Sequence, residues 1–158
     1  MSRGKKRRAE RELAFQVLYG LSFTPANSRE EMRLAFLLSP HNAGSGTGQD
    51  VSSYAFTLVE GVWSTSAKLD AAIARYAHNW RVARMGRVEL TLLRLAVYEL
   101  FFRQDVPPKV AINEALELSR QFGGEQAKSF INGILDAAAK AAESGEAGDA
   151  GTIQPAES

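Results

Sequence analysis

Arg3, Lys5, Lys6, Arg7, Arg8 and Arg11 fall within the first twelve residues, where only Glu10 and Glu12 oppose them, giving a local charge of +4. Bases at this density neutralise phosphates, and aromatic faces held near them stack on unpaired nucleobases. Phe122 and Phe130 are the candidates for stacking. Phe122 precedes Gly123-Gly124, and Phe130 lies two turns further on, past Gln126 and Lys128. The ordinary alternatives are core packing for either phenylalanine and a solvated tail for the basic run.

Other chemistry lacks parts. His41 and His78 are the only histidines, and neither has a His, Asp or Glu at helical ligand spacing, so no metal site is expected. Gly44, Gly46 and Gly48 suggest a phosphate loop only superficially, since no Gly-Lys-Ser/Thr follows and no strand precedes them. Glu114 and Glu117 share a helix face at i, i+3, and without a second pair they read as solvated surface. Trp63 and Trp80 sit on apolar stripes and read as core. With no cysteine, thiolate metal sites, cysteine catalysis and a disulfide framework are excluded. No catalytic residue and no cofactor are expected.

The elements that must position these residues are helical almost throughout. Val51, Tyr54, Ala55, Leu58, Val59, Val62 and Trp63 recur as one helical stripe, with Asp50 placed to cap it. Leu69, Ala72, Ile73 and Tyr76 continue the pattern toward Trp80. The first helix is predicted from about Lys6 to Tyr19, with Arg7, Arg8 and Arg11 sharing a broad face near its start. Ser28 and Glu31 read as a capping box for a short helix that Pro40 closes. Val88 to Phe102 is apolar nearly all round, as a central buried helix would be. Pro107-Pro108 starts a helix that stops at Gly123-Gly124, and a last helix covers about Glu125 to Ala142. Gly133 inside it is explained if another backbone approaches there, and Asn113 and Asn132 need hydrogen-bond partners if buried. The expected fold is all-α, with about seven helices.

Length and composition agree. At 158 residues, 45% hydrophobic and 23% charged, the chain is an ordinary globular one, with no apolar run near the roughly 20 residues that span a bilayer. A soluble cytoplasmic protein is expected. Residues 1–142 read as a single all-helical RNA-binding domain with a basic arm. Residues 143–158 carry four acids and no base and read as a disordered tail, and residues 43–50 as a flexible loop.

The segments RELAFQVLYG (11–20), LLRLAVYEL (92–100) and VAINEALELSRQFGGEQAKSFINGILD (110–136) closely resemble the NusB family of bacterial transcription antitermination factors, over about residues 5–140. The resemblance implies a compact fold of two packed helical sub-bundles. It implies binding to single-stranded boxA RNA of ribosomal RNA leaders, together with the NusE-type ribosomal protein. That pair joins the antitermination complex on RNA polymerase with the other Nus factors. No catalysis belongs to the family, and homodimerisation occurs in some members.

Carried onto this sequence, the arginine-rich entry falls on Lys6, Arg7, Arg8 and Arg11, beside Lys5. The RNA-side turn falls on Phe122, Gly123, Gln126 and Phe130, with Lys128 between the last two. The ribosomal-protein face falls on Tyr19 and Glu89. Relatives often carry an acid where this chain has Gln126, and Met85-Gly86 replaces a proline-containing turn. Two alternatives stand beside this reading. One is a helical protein-interaction module; the other is a regulatory domain associated with an rRNA methyltransferase.

Overall fold

The computed structural model describes residues 3–43, 50–77 and 85–144. His78, Trp80, most of the glycine loop and residues 145–158 lie outside them, and so do the expectations placed there; Glu143 and Ser144, read as the start of the acidic tail, are helical instead. The described residues form seven α-helices and no strand: α1 (Arg3–Phe23), α2 (Arg29–Leu37), α3 (Pro40–Ala43), α4 (Tyr54–Ala77), α5 (Arg87–Phe102), α6 (Pro108–Phe122) and α7 (Glu125–Ser144). The chain divides into two compact units, Met1–Ser64 and Thr65–Ser158.

In the first unit, Leu13, Ala14, Val17 and Leu18 form the buried stripe of α1, and Met32 and Phe36 that of α2. Phe36 meets Phe56 of α4 edge-on, with ring centroids 5.2 Å apart. Ser28 caps α2, its Oγ accepting the Glu31 N–H at 3.1 Å. The return half of the expected capping box is displaced by one residue, because Glu31 Oε1 accepts from the Asn27 N–H at 2.8 Å. Pro40 does not close α2, which ends at Leu37; it opens α3, where its missing N–H costs nothing.

The start of α4 differs from expectation. Asp50 Oδ1 accepts the N–H and the hydroxyl of Ser52, at 2.9 and 2.5 Å, forming a local turn instead of a cap. Those bonds hold its carboxyl below the usual carboxylate range, the hydroxyl contributing most. Ser53 does the capping: its Oγ accepts the Phe56 N–H at 3.1 Å, and its carbonyl accepts the Thr57 N–H at 3.1 Å. The stripes ending at Trp63 and starting at Leu69 lie on two helical segments of α4, separated at Thr65, which is not helical (φ −120°, ψ 18°). Trp63 is half-buried, not core. The Arg29 guanidinium lies 5.6 Å from its ring and is ion-paired with Glu60.

In the second unit, α5, α6 and α7 pack on one another. Leu92, Leu93, Leu95, Ala96 and Val97 are the buried side of α5, with Ile131, Ile134, Leu135 and Ala138 facing inward from α7. Arg94 grips Asp70 as a fork, Nε to Oδ1 at 2.6 Å and Nη2 to Oδ2 at 2.7 Å, joining α5 to the end of α4. Two expectations on the last helices are corrected. Nothing lies within 4 Å of a Cβ built on Gly133, so no backbone approaches there. Asn113 and Asn132 face solvent, which satisfies their amides without internal partners.

Candidate nucleic-acid interface

The basic start of α1 does not present one uniform face. Arg7, Glu10, Arg11, Ala14 and Leu18 recur at helical spacing and continue the buried stripe toward the amino terminus. Long stems let Arg7 and Arg11 follow that stripe. The Arg7 guanidinium lies 3.7 Å from the centroid of the Tyr54 ring, a direct cation–π contact. Arg11 is only 4% exposed, with its guanidinium 5.8 Å from the same ring. Glu10, 5% exposed, turns its Oε1 onto the Ala55 N–H at 3.1 Å. A carboxylate there satisfies one of the open donors at the start of α4 and complements the helix dipole.

Lys6 and Arg8 flank the stripe and are exposed, and Arg7 is half-buried. The Lys5 side chain lies outside the described ones. Arg11 departs from the expected shared face because its phase on the helix is that of the core. Tyr54 and Glu10 were not among the residues singled out from the sequence. The available signal was Glu10 and Arg11 falling in register with Ala14, Val17 and Leu18.

The turn between α6 and α7 is tight. The Gly123 N–H closes α6 on the Ser119 carbonyl at 2.7 Å, and Gly124 follows at φ 83°, a left-handed conformation that favours glycine. A Cβ on Gly123 would stand 3.2 Å from the Ser119 carbonyl oxygen, a tight contact, with Val88 Cγ1 at 3.4 Å and the Ala127 Cβ at 3.5 Å. Gln126 and Lys128 are exposed on the first turns of α7, while Phe122 and Phe130 are half-buried. Each phenylalanine is therefore neither fully core nor fully exposed. Gln126 and Phe130 keep the i, i+4 relation expected of them.

Tyr19 is half-buried in an aromatic ladder along α1. It stacks on Phe15 at 5.9 Å and receives Phe23 edge-on at 5.1 Å, and Phe23 is 56% exposed. Glu89 sits in the first turn of α5, half-buried, with its carboxylate folded back over the N-cap Gly86, where a Cβ would collide with it. His41 is exposed on α3. Glu117 is ion-paired with Arg120 on the surface of α6. Among the described residues, no group of three His, Asp or Glu side chains is placed to hold a metal, and no helix is long and apolar enough to cross a membrane.

The model of the NusB family matches residues 8–140. The transcription antitermination protein NusB of Desulfovibrio desulfuricans is 67% identical over 152 residues, covering 92% of this chain and 93% of the relative. That of Myxococcus xanthus is 42% identical over 135 residues, covering 85% and 95%. Among solved structures, T. maritima NusB superposes with a TM-score of 0.71 at 31% identity, over 85% of this chain and 90% of that one. A chain in the crystal structure of antitermination factors NusB and NusE in complex with dsRNA gives a TM-score of 0.73 at 29% identity, covering 89% and 99%.

Proposed function

The chain belongs to the NusB family, and from that premise we propose that it is a transcription antitermination factor that binds boxA RNA of ribosomal RNA leaders with a NusE-type ribosomal protein. The pair then joins the RNA polymerase antitermination complex with other Nus factors. The observation that carries this reading is the near full-length likeness to a chain in the NusB–NusE–dsRNA structure. The reading is that of a binding adaptor acting in the cytoplasm and assigns no catalytic step.

Within the first unit, Lys6, Arg7 and Arg8 meet phosphates, with Lys5 beside them, while Arg11 acts chiefly by holding the turn. Within the second, Gly123 shapes a turn from which Gln126 and Lys128 reach the RNA, and the exposed parts of Phe122 and Phe130 offer stacking faces. Gln126 suits base recognition because an amide both donates and accepts, which an ionised carboxylate does not. Tyr19 and Glu89 are the contacts assigned to the ribosomal protein.

The test is a titration of boxA and scrambled single strands, and of a duplex, with and without the NusE-type protein. Each single-strand phosphate neutralised contributes roughly −0.7 to the slope of log K against log salt, so three to five bases give about −2 to −4. A preference for boxA that strengthens with the partner present supports the reading. Equal binding of all three RNAs with the partner present, or a slope near zero, overturns it and favours a protein-interaction module.

A further inference from the structure

We propose that Tyr54 is a positioning residue for RNA binding: its ring holds the Arg7 guanidinium over its face, where the N–H groups can meet a phosphate. This rests on the reading of α1 as the phosphate-binding element.

The two uses of one guanidinium are compatible because they employ different parts of it. Stacking takes the planar face, which the negative centre of an aromatic ring attracts. Phosphate recognition takes the in-plane N–H fork, where donors match the spacing of phosphate oxygens. At 3.7 Å from the ring centroid, the Arg7 guanidinium carbon lies over the ring at contact distance, which limits where that fork can lie. Tyr54 in turn is held firmly. Its side chain is 9% exposed, and it stands at the first position of α4, one residue before the N–H that Glu10 caps.

The surrounding charges favour the same role. Arg11 brings a second guanidinium to 5.8 Å from the ring, so two cations gather about one aromatic side chain. An arriving phosphate reduces the repulsion between them. An arginine left loose on the first turns of a helix must lose rotamer freedom when it binds, whereas one stacked on a fixed ring has already lost part of it. Tyr54 therefore adds to affinity without touching RNA.

The experiment measures binding of full-length protein to fluorescent single-stranded boxA RNA across a salt series, with thermal melting by circular dichroism as the control. Tyr54→Phe keeps the ring and should bind within about twofold of the parent. Tyr54→Leu keeps apolar bulk without a π face and should weaken binding by about two- to tenfold, with the salt slope unchanged. Arg7→Ala should weaken binding and lower the magnitude of the slope by about 0.7. Combining Tyr54→Leu with Arg7→Ala should add nothing to Arg7→Ala alone, since the ring acts only through that guanidinium.

Should Tyr54→Leu melt early, pentafluorophenylalanine at position 54 keeps the ring's shape while removing the negative face, and the same weakening is expected. An equal loss from Tyr54→Leu in the Arg7 and Arg7→Ala backgrounds would show that Tyr54 serves only the fold. Tighter binding by Tyr54→Leu would show that the ring withholds Arg7, and no change would show that the stack is idle. Each of these overturns the proposal while leaving the RNA reading in place. A parent protein without salt-dependent RNA binding overturns both.

Discussion

Two arginines three residues apart on α1 should fail in different ways when truncated. Arg8 is exposed, whereas Arg11 is 4% exposed and lies by the ring of Tyr54. Arg8→Ala is expected to weaken boxA and scrambled RNA alike, to lower the magnitude of the salt slope by about 0.7, and to leave urea unfolding within about 0.5 kcal/mol of the parent. Arg11→Ala removes a buried stem and a charge held within the unit, and should cost about 1–3 kcal/mol in the same unfolding measurement. A second contrast lies at the α6–α7 turn. Gln126→Glu adds a charge at an exposed position, so it should weaken RNA binding with no change in melting, whereas Phe130→Ala should lose about 1–3 kcal/mol of stacking. If Phe130→Ala melts far earlier yet binds normally once folded, the half-buried ring is a packing residue.

At the scale of elements, the two ends of α4's capping turn separate by pH. Ser53→Ala removes the Oγ that accepts the Phe56 N–H and should cost about 1 kcal/mol at any pH from acid to neutral. Asp50 behaves otherwise, because hydrogen bonds from Ser52 hold its carboxyl below the usual range in the folded chain. A depressed folded value contributes stability above the unfolded value and loses it as pH falls through the folded one. The stability difference between parent and Asp50→Ala should therefore be constant near neutrality and shrink below about pH 4, read by urea titration at several pH values.

Two glycines supply a test of opposite sign. Gly124→Ala forces a Cβ into φ 83° and should destabilise by about 1–2 kcal/mol, whereas Gly133→Ala meets nothing within 4 Å inside α7 and should stabilise by up to about 1 kcal/mol. The apolar period located these helices well, since Val88 to Phe102 and Pro107-Pro108 mark an element and its boundary, although Val88, Tyr98, Leu100, Phe101 and Phe102 are only half-buried. It misplaced the cap of α4 because Asp50 and Ser53 are both good capping residues, and only the local bonds to Ser52 decide between them. Gly133 misled because a costly glycine implies close packing only when something is near it.

At the scale of the whole molecule, family and fold were legible because the VAINEA and FINGILD segments carry a specific resemblance, and the family model matches residues 8–140. The candidate site was legible only in part. Glu10 reaches a backbone N–H 45 residues away in sequence, and no local pattern announces such a partner. The same reasoning separates what folds the chain from what it binds. Leu95 is 2% exposed on α5, so Leu95→Ala should cost about 2–5 kcal/mol of stability and reduce every activity together. Glu89 lies in the first turn of that same helix, folded over Gly86, where its charge opposes the positive end of the helix dipole. Glu89→Lys reverses that term and should therefore cost up to about 1 kcal/mol, a loss too small to unfold the protein. If Glu89 also meets the ribosomal protein, the charge reversal should weaken that complex well beyond the stability loss, while boxA binding by the isolated chain stays near the parent value. Calorimetric titration of the partner beside thermal melting reads both quantities. A partner affinity that falls no further than stability does would make Glu89 a helix-capping charge and nothing more.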